Sequence, residues 1–245
     1  MKGLIKGFMI HSGRYVLKLA ILLPLFWSLL FGAGTATGYF VGNNFGSDTS
    51  KSAEATGENG SEATGEKSND READIIFILF MCVIGGMTPL TSLGVTSNAM
   101  YNTDGSKYFR TVKNGSRRFL SAVKAASVLA PIAAIVPIIL LYLMQKYLLG
   151  FDTALYHAVS GLVAAVLSVG GTYIAMLIKN KTVRIIELGA LFACMFGIAL
   201  TVGLLGITGL AICAVIVVIF TAAAYVVFRL NFEKNWLFDS EKCSS

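Results

Sequence analysis

The sequence predicts an all-α membrane protein of six transmembrane helices, preceded by an amphipathic interfacial helix and with both termini cytoplasmic. Three observations predict it. Hydrophobic residues make up 55% of the 245 and charged residues only 14%, far from the balance of a soluble domain. The apolar residues fall in blocks of about 20 or more, the length that crosses a hydrocarbon core of about 30 Å at 1.5 Å rise per residue. Sixteen of the 20 basic residues fall on one side of the membrane when the segments between blocks are assigned to alternate sides, as the positive-inside rule requires.

Residues 1–15 form the interfacial helix. At 100° per residue Met1, Leu4, Ile5, Phe8, Met9 and Tyr15 share one face, away from Lys2, Lys6 and Arg14, the pattern of a helix lying in the headgroup region. The first span is 16–42. Gly34, Gly38 and Gly42 recur in it at four-residue spacing, a row on which another helix can approach closely. A cleaved leader competes with this reading, with 33–37 as the cleavage region, but the apolar block exceeds the 7–15 residues of a leader core.

Residues 43–74 repeat Glu-Ala-Thr-Gly-Glu at Glu54 and Glu62 and carry eight acids against three bases. Such a composition buries no core and reads as a disordered external loop. The second span is 75–99. Gly85, Gly86 and Pro89 interrupt its regular pattern, and Thr88, Thr91, Ser92, Thr96 and Ser97 make its second half rich in hydroxyls. These residues are candidates for a hinge or for the lining of a translocation path, or for bonding carbonyls and neighbouring helices.

Residues 100–121 are a basic cytoplasmic loop, followed by spans at 122–149, with Pro131 and Pro137 inside it, and 154–178. The stretch 185–228 would make a helix of about 66 Å at 1.5 Å per residue, twice the bilayer core. It must therefore be a hairpin, with spans at 185–205 and 207–228 and a turn at Gly206, Thr208 and Gly209. Residues 229–245 return to the cytoplasm. The whole chain, 1–245, is one transmembrane domain.

The chemistry absent from the spans limits the function. Their central parts carry no Asp, Glu, Lys, Arg or His, where ion-coupled carriers usually place ionisable groups. Cys82, Cys194 and Cys213 lie in apolar blocks and make neither a disulfide framework nor a metal motif. His157 and Ser160 can share a helix face, a weak nucleophile signal without an oxyanion site. No phosphate-binding loop occurs, so the chain itself is not an ATPase, and no basic domain is available for nucleic acid.

One segment is suited to a partner. Around Gly105 to Val112 a short helix places Tyr108, Phe109 and Val112 among Lys107, Arg110 and Lys113, before the turn pair Asn114-Gly115. An aromatic anchor ringed by bases fits a cleft with an acidic rim; the same loop also suits anionic lipid headgroups.

The order of parts, with Ser116-Arg117-Arg118 closing this loop and Lys124 opening the next span, resembles the permease subunit of the ABC type 2 exporter family. That family's loop often reads Leu-Pro-x-Ser-Arg-Arg after a bulky residue. Here the proline is missing and Lys113-Asn114-Gly115 stands in its neighbourhood. The resemblance implies that Lys107, Tyr108, Phe109, Arg110, Val112, Lys113, Arg117 and Arg118 couple to two copies of a separate ATPase subunit. It further implies a second permease subunit, identical or not, and ATP and Mg bound by the ATPase with no cofactor in this chain. Size and layout are similar to half-permeases that export peptides, such as bacteriocins or phenol-soluble modulins. The expected setting is a bacterial cytoplasmic membrane, and the expected substrate an amphipathic peptide or lipid-like molecule. A non-transporting membrane immunity or binding protein, or an ion-coupled carrier, is the alternative.

Overall fold

The computed structural model describes residues 26, 74–90, 115–148, 150–178 and 181–242. The described residues are helical apart from the connections. Helix α1 spans Asp74–Leu90, α2 Gly115–Leu143, α3 Ala154–Leu177 and α4 Lys181–Lys242. Three of these four are long and apolar enough to cross a membrane, with candidate spans Ala130–Tyr147, Ala154–Leu177 and Thr182–Phe232. The protein is thus an all-helical membrane protein in its described part. The interfacial helix, the span 16–42 apart from Phe26, the loop 43–74 apart from Asp74 and the six-span count rest on residues outside that part; Asp74, expected in the loop, is the first residue of α1.

Helix α4 is interrupted at Gly206, whose φ of 58° and ψ of −132° are not helical. Only glycine adopts such a backbone without strain. The chain turns back there, as the contacts of the two arms demonstrate. Leu191, in the first arm, packs where a side chain on Gly171 of α3 would stand, while Phe220 and Thr221, in the second, pack over Gly170. The Thr221 hydroxyl also donates to the Val166 carbonyl at 3.1 Å. Both arms therefore lie along α3.

Neighbouring contacts fix the directions of the other helices. Phe119 meets Phe232, Ile138 meets Gly161, and Gln145 meets His157, so α2 runs antiparallel to α3. Met81 and Gly85 meet Gly161 and Asp74 meets His157, so α1 runs parallel to α3. Helix α3 is the central element: 67% of its span is buried, against 17% of the α4 span. In this arrangement Arg117, Lys124, Arg184 and Arg229 belong to one end, and Asp74, Lys146 and Asp152 to the other. We call them the basic end and the far end.

Local chemistry sets the boundaries. Helix α2 starts at Gly115, seven residues ahead of the span expected at 122, and Phe119 in its second turn is buried at 2% exposure. Pro131 and Pro137 are accommodated within it. It ends in a π turn, Met144–Leu148, closed by the Phe151 amide donating to the Gln145 carbonyl at 3.1 Å. Gly150, at φ 71°, then redirects the chain into α3. At the other end of α3, the Arg184 guanidinium donates to the Ile178 carbonyl at 2.8 Å and ties the short connection to α4.

Candidate functional site

Two places hold residues singled out in the sequence: the basic end, where α2 begins, and the buried face of α1. At the basic end five aromatic rings form a continuous cluster. Phe119 stacks on Phe232 with centroids 5.0 Å apart and planes 5° from parallel. Phe232 contacts Phe228 at 5.7 Å, Phe228 stacks on Tyr173 at 5.4 Å, and Tyr173 tilts onto Tyr225 at 5.4 Å. The Lys124 ammonium sits 5.5 Å from the Tyr225 ring centroid, within cation–π range.

The cluster joins the start of α2, the end of α3 and the end of α4 into one unit. Arg117 is exposed on the first turn of α2, and its carbonyl accepts the Ser121 hydroxyl at 2.8 Å. Arg118 belongs to the same helix. Lys107, Tyr108, Phe109, Arg110, Val112 and Lys113 lie outside the described residues, as do Gly34, Gly38 and Gly42.

Sequence reasoning missed this cluster because it assigned Phe119 to a loop and Phe232 to a tail. A signal was present. Tyr225, Phe228 and Phe232 stand at positions i, i+3 and i+7, one face of a continuing helix.

Helix α1 runs unbroken through Gly85, Gly86, Thr88 and Pro89. A Cβ at Gly85 would run into the backbone carbonyl of Gly161, and one at Gly161 would stand 2.9 Å from the Met81 carbonyl oxygen. The backbones of α1 and α3 are thus in direct contact, as small residues permit in membranes. Gly86 is covered by the Met195 side chain and by Ser168 Oγ, which would lie 2.9 Å from an added Cβ. Thr88 and Pro89 are buried. The Thr88 hydroxyl donates to the Ile84 carbonyl at 3.1 Å, one residue away from the Gly85 carbonyl that Pro89 frees. Thr91 and Ser92 lie outside the described residues.

The other buried hydroxyls behave alike. Ser127, Ser160, Ser168 and Thr172 each donate to the carbonyl four residues back, at 2.7 to 3.0 Å, which satisfies them within their own helices. This separates the Ser160 hydroxyl, bonded to Tyr156, from His157, whose ring faces Gln145 and Asp74. The two do not form a nucleophile–base pair in this arrangement. Among the described residues no group of three or more His, Cys, Asp or Glu is placed to hold a metal ion.

Comparison with protein-family models, curated proteins and solved structures gives no match.

Proposed function

We propose that the chain is the membrane-spanning permease subunit of an ATP-driven ABC exporter, forming half of the path for an amphipathic peptide or lipid-like substrate. In this reading six helices span a bacterial cytoplasmic membrane, both termini and the basic end face the cytoplasm, and a second permease subunit completes the path. Two ATPase subunits dock beneath the loop 100–121, bind ATP and Mg, and supply the energy.

The observation that carries the reading is the junction at Gly115. The basic segment with the aromatic pair Tyr108-Phe109 is followed in sequence by a helix that begins at Gly115, carries Arg117-Arg118 in its first turn and stacks its Phe119 on Phe232. A loop pushed by a closing ATPase needs such a stiff attachment. The basic end carries Arg117, Lys124, Arg184 and Arg229 while the far end carries Lys146 with Asp74 and Asp152, a bias that supports the orientation because cytoplasmic segments carry the excess of Lys and Arg.

Motion would pass from the loop to α2, and through the aromatic cluster to α3 and the second arm of α4. Recognition of substrate in such a path rests on apolar contacts and hydroxyls, which suits amphipathic molecules better than sugars or ions. The test is extraction of the tagged chain from its native membrane in mild detergent, followed by mass spectrometry. A nucleotide-binding subunit in stoichiometric amount is the expected result; a chain that purifies alone contradicts the proposal.

A further inference from the structure

At the far end of the bundle four segments meet in a buried polar cluster that the transport reading leaves unused. His157, in the first turn of α3, is completely buried. Its Nδ1 lies 3.0 Å from Gln145 Oε1. Its Nε2 lies 3.3 Å from Asp74 Oδ1 but makes no hydrogen bond there. The same Asp74 oxygen accepts the Thr153 hydroxyl at 2.9 Å. Phe77 stacks parallel to the imidazole at 6.2 Å and touches Phe151 at 4.8 Å, so the two rings shield the cluster.

We propose that Asp74, Thr153, His157 and Gln145 form a releasable latch that holds the far end of α1 against the α2–α3 hairpin, with Gln145 as its catch. Three features make it releasable where a purely structural network would be closed. The Asp74 side chain keeps 30% of its surface in contact with solvent, so water can replace its protein partners. The buried Nε2 has unmet hydrogen-bonding capacity, which lowers the cost of leaving this arrangement. Gln145 stands in a π turn, and relaxing that turn by one residue would rotate its side chain by about 100° away from His157. Gly150, with φ 71° and nothing within 4 Å of a Cβ added to it, gives the following linker room to swing.

Release would act on half a helix. The Gly85–Gly161 backbone contact holds the middle of α1, and the first two turns are otherwise retained by apolar contacts such as Ile75 resting on Gly203. The helix can therefore pivot about Gly85 when the latch opens. The inference stands apart from the transport reading, because opening of α1 is measurable with no ATPase present.

The experiment is hydrogen–deuterium exchange on the full chain in lipid nanodiscs, comparing amides 75–84 with amides 119–127 at the basic end. Asp74→Ala and His157→Gln are each expected to speed exchange over 75–84 by roughly tenfold to a hundredfold, the scale of losing one polar contact of the latch. The double variant should exchange little faster than either single one, because either change alone opens the same latch. Gln145→Met, similar in length but without an acceptor, should give the same local increase, while 119–127 stays unchanged in every variant. Additive effects of Asp74→Ala and His157→Gln, an equal rise in both segments, or no rise over 75–84 would each overturn the latch.

Discussion

Replacing Phe109 with Ala and Arg110 with Glu together is expected to leave the protein inserted in the membrane and to reduce stimulation of its ATPase partner to the basal rate. An aromatic anchor in the centre of an interface commonly contributes about 2 kcal/mol or more. Reversing a charge against an acidic rim adds a repulsion of similar order. Together they weaken docking by roughly 4 kcal/mol, about a thousandfold at 1.4 kcal/mol per factor of ten. Five basic residues remain between Tyr101 and Lys124, enough to keep the loop on its side of the membrane. The measurement is ATP hydrolysis by the partner with the wild-type or the double-variant chain in the same nanodiscs. Undiminished stimulation would remove the coupling role from this loop.

The second large effect is structural. Gly85→Leu is expected to destabilise the bundle by about 3 kcal/mol, the upper part of the range for overpacking, and to lower its apparent Tm in detergent by roughly 6 to 12 °C. The reason is the nature of the obstacle. The new Cβ meets the Gly161 main-chain carbonyl, and a backbone cannot rotate away as a side chain end can. Separating α1 from α3 would also strip cover from Cys82, whose thiol donates to the Ser160 carbonyl at 3.6 Å. Gly189→Ala is the matched control. Nothing lies within 4 Å of a Cβ added there, so that variant should stay within about 1 kcal/mol of wild type, with any shift toward greater stability. Equal melting of the Gly85→Leu variant and wild type would mean that the α1–α3 contact does not support the fold.

Much of the architecture was legible because membrane insertion imposes length and polarity on each segment. The helical class and the long apolar segments follow from block lengths, and the reversal of the stretch 185–228 follows from its excess over the bilayer thickness, with Gly206 supplying the positive φ. Contacts between distant segments were not legible. Phe119 was hidden behind Arg117 and Arg118, whose charges end an apolar block although the helix continues through them. His157 reads as an ordinary interfacial histidine until Asp74 and Gln145 are brought to it from other helices. Gly85 and Gly86, read as a hinge or path lining, stand where α1 is in closest contact with α3 and α4. Glycine has one sequence signature for flexibility and for close packing, and only the neighbouring backbone distinguishes them.

The central claim is that this chain moves cargo on the energy of a partner's ATP hydrolysis. Its most direct test is the hydrolysis rate of the co-purified complex reconstituted in lipid, compared with the nucleotide-binding subunit alone. A rate several times higher in the complex, lost on adding the Phe109→Ala and Arg110→Glu changes, is the predicted result. Equal rates with and without the permease chain would contradict it.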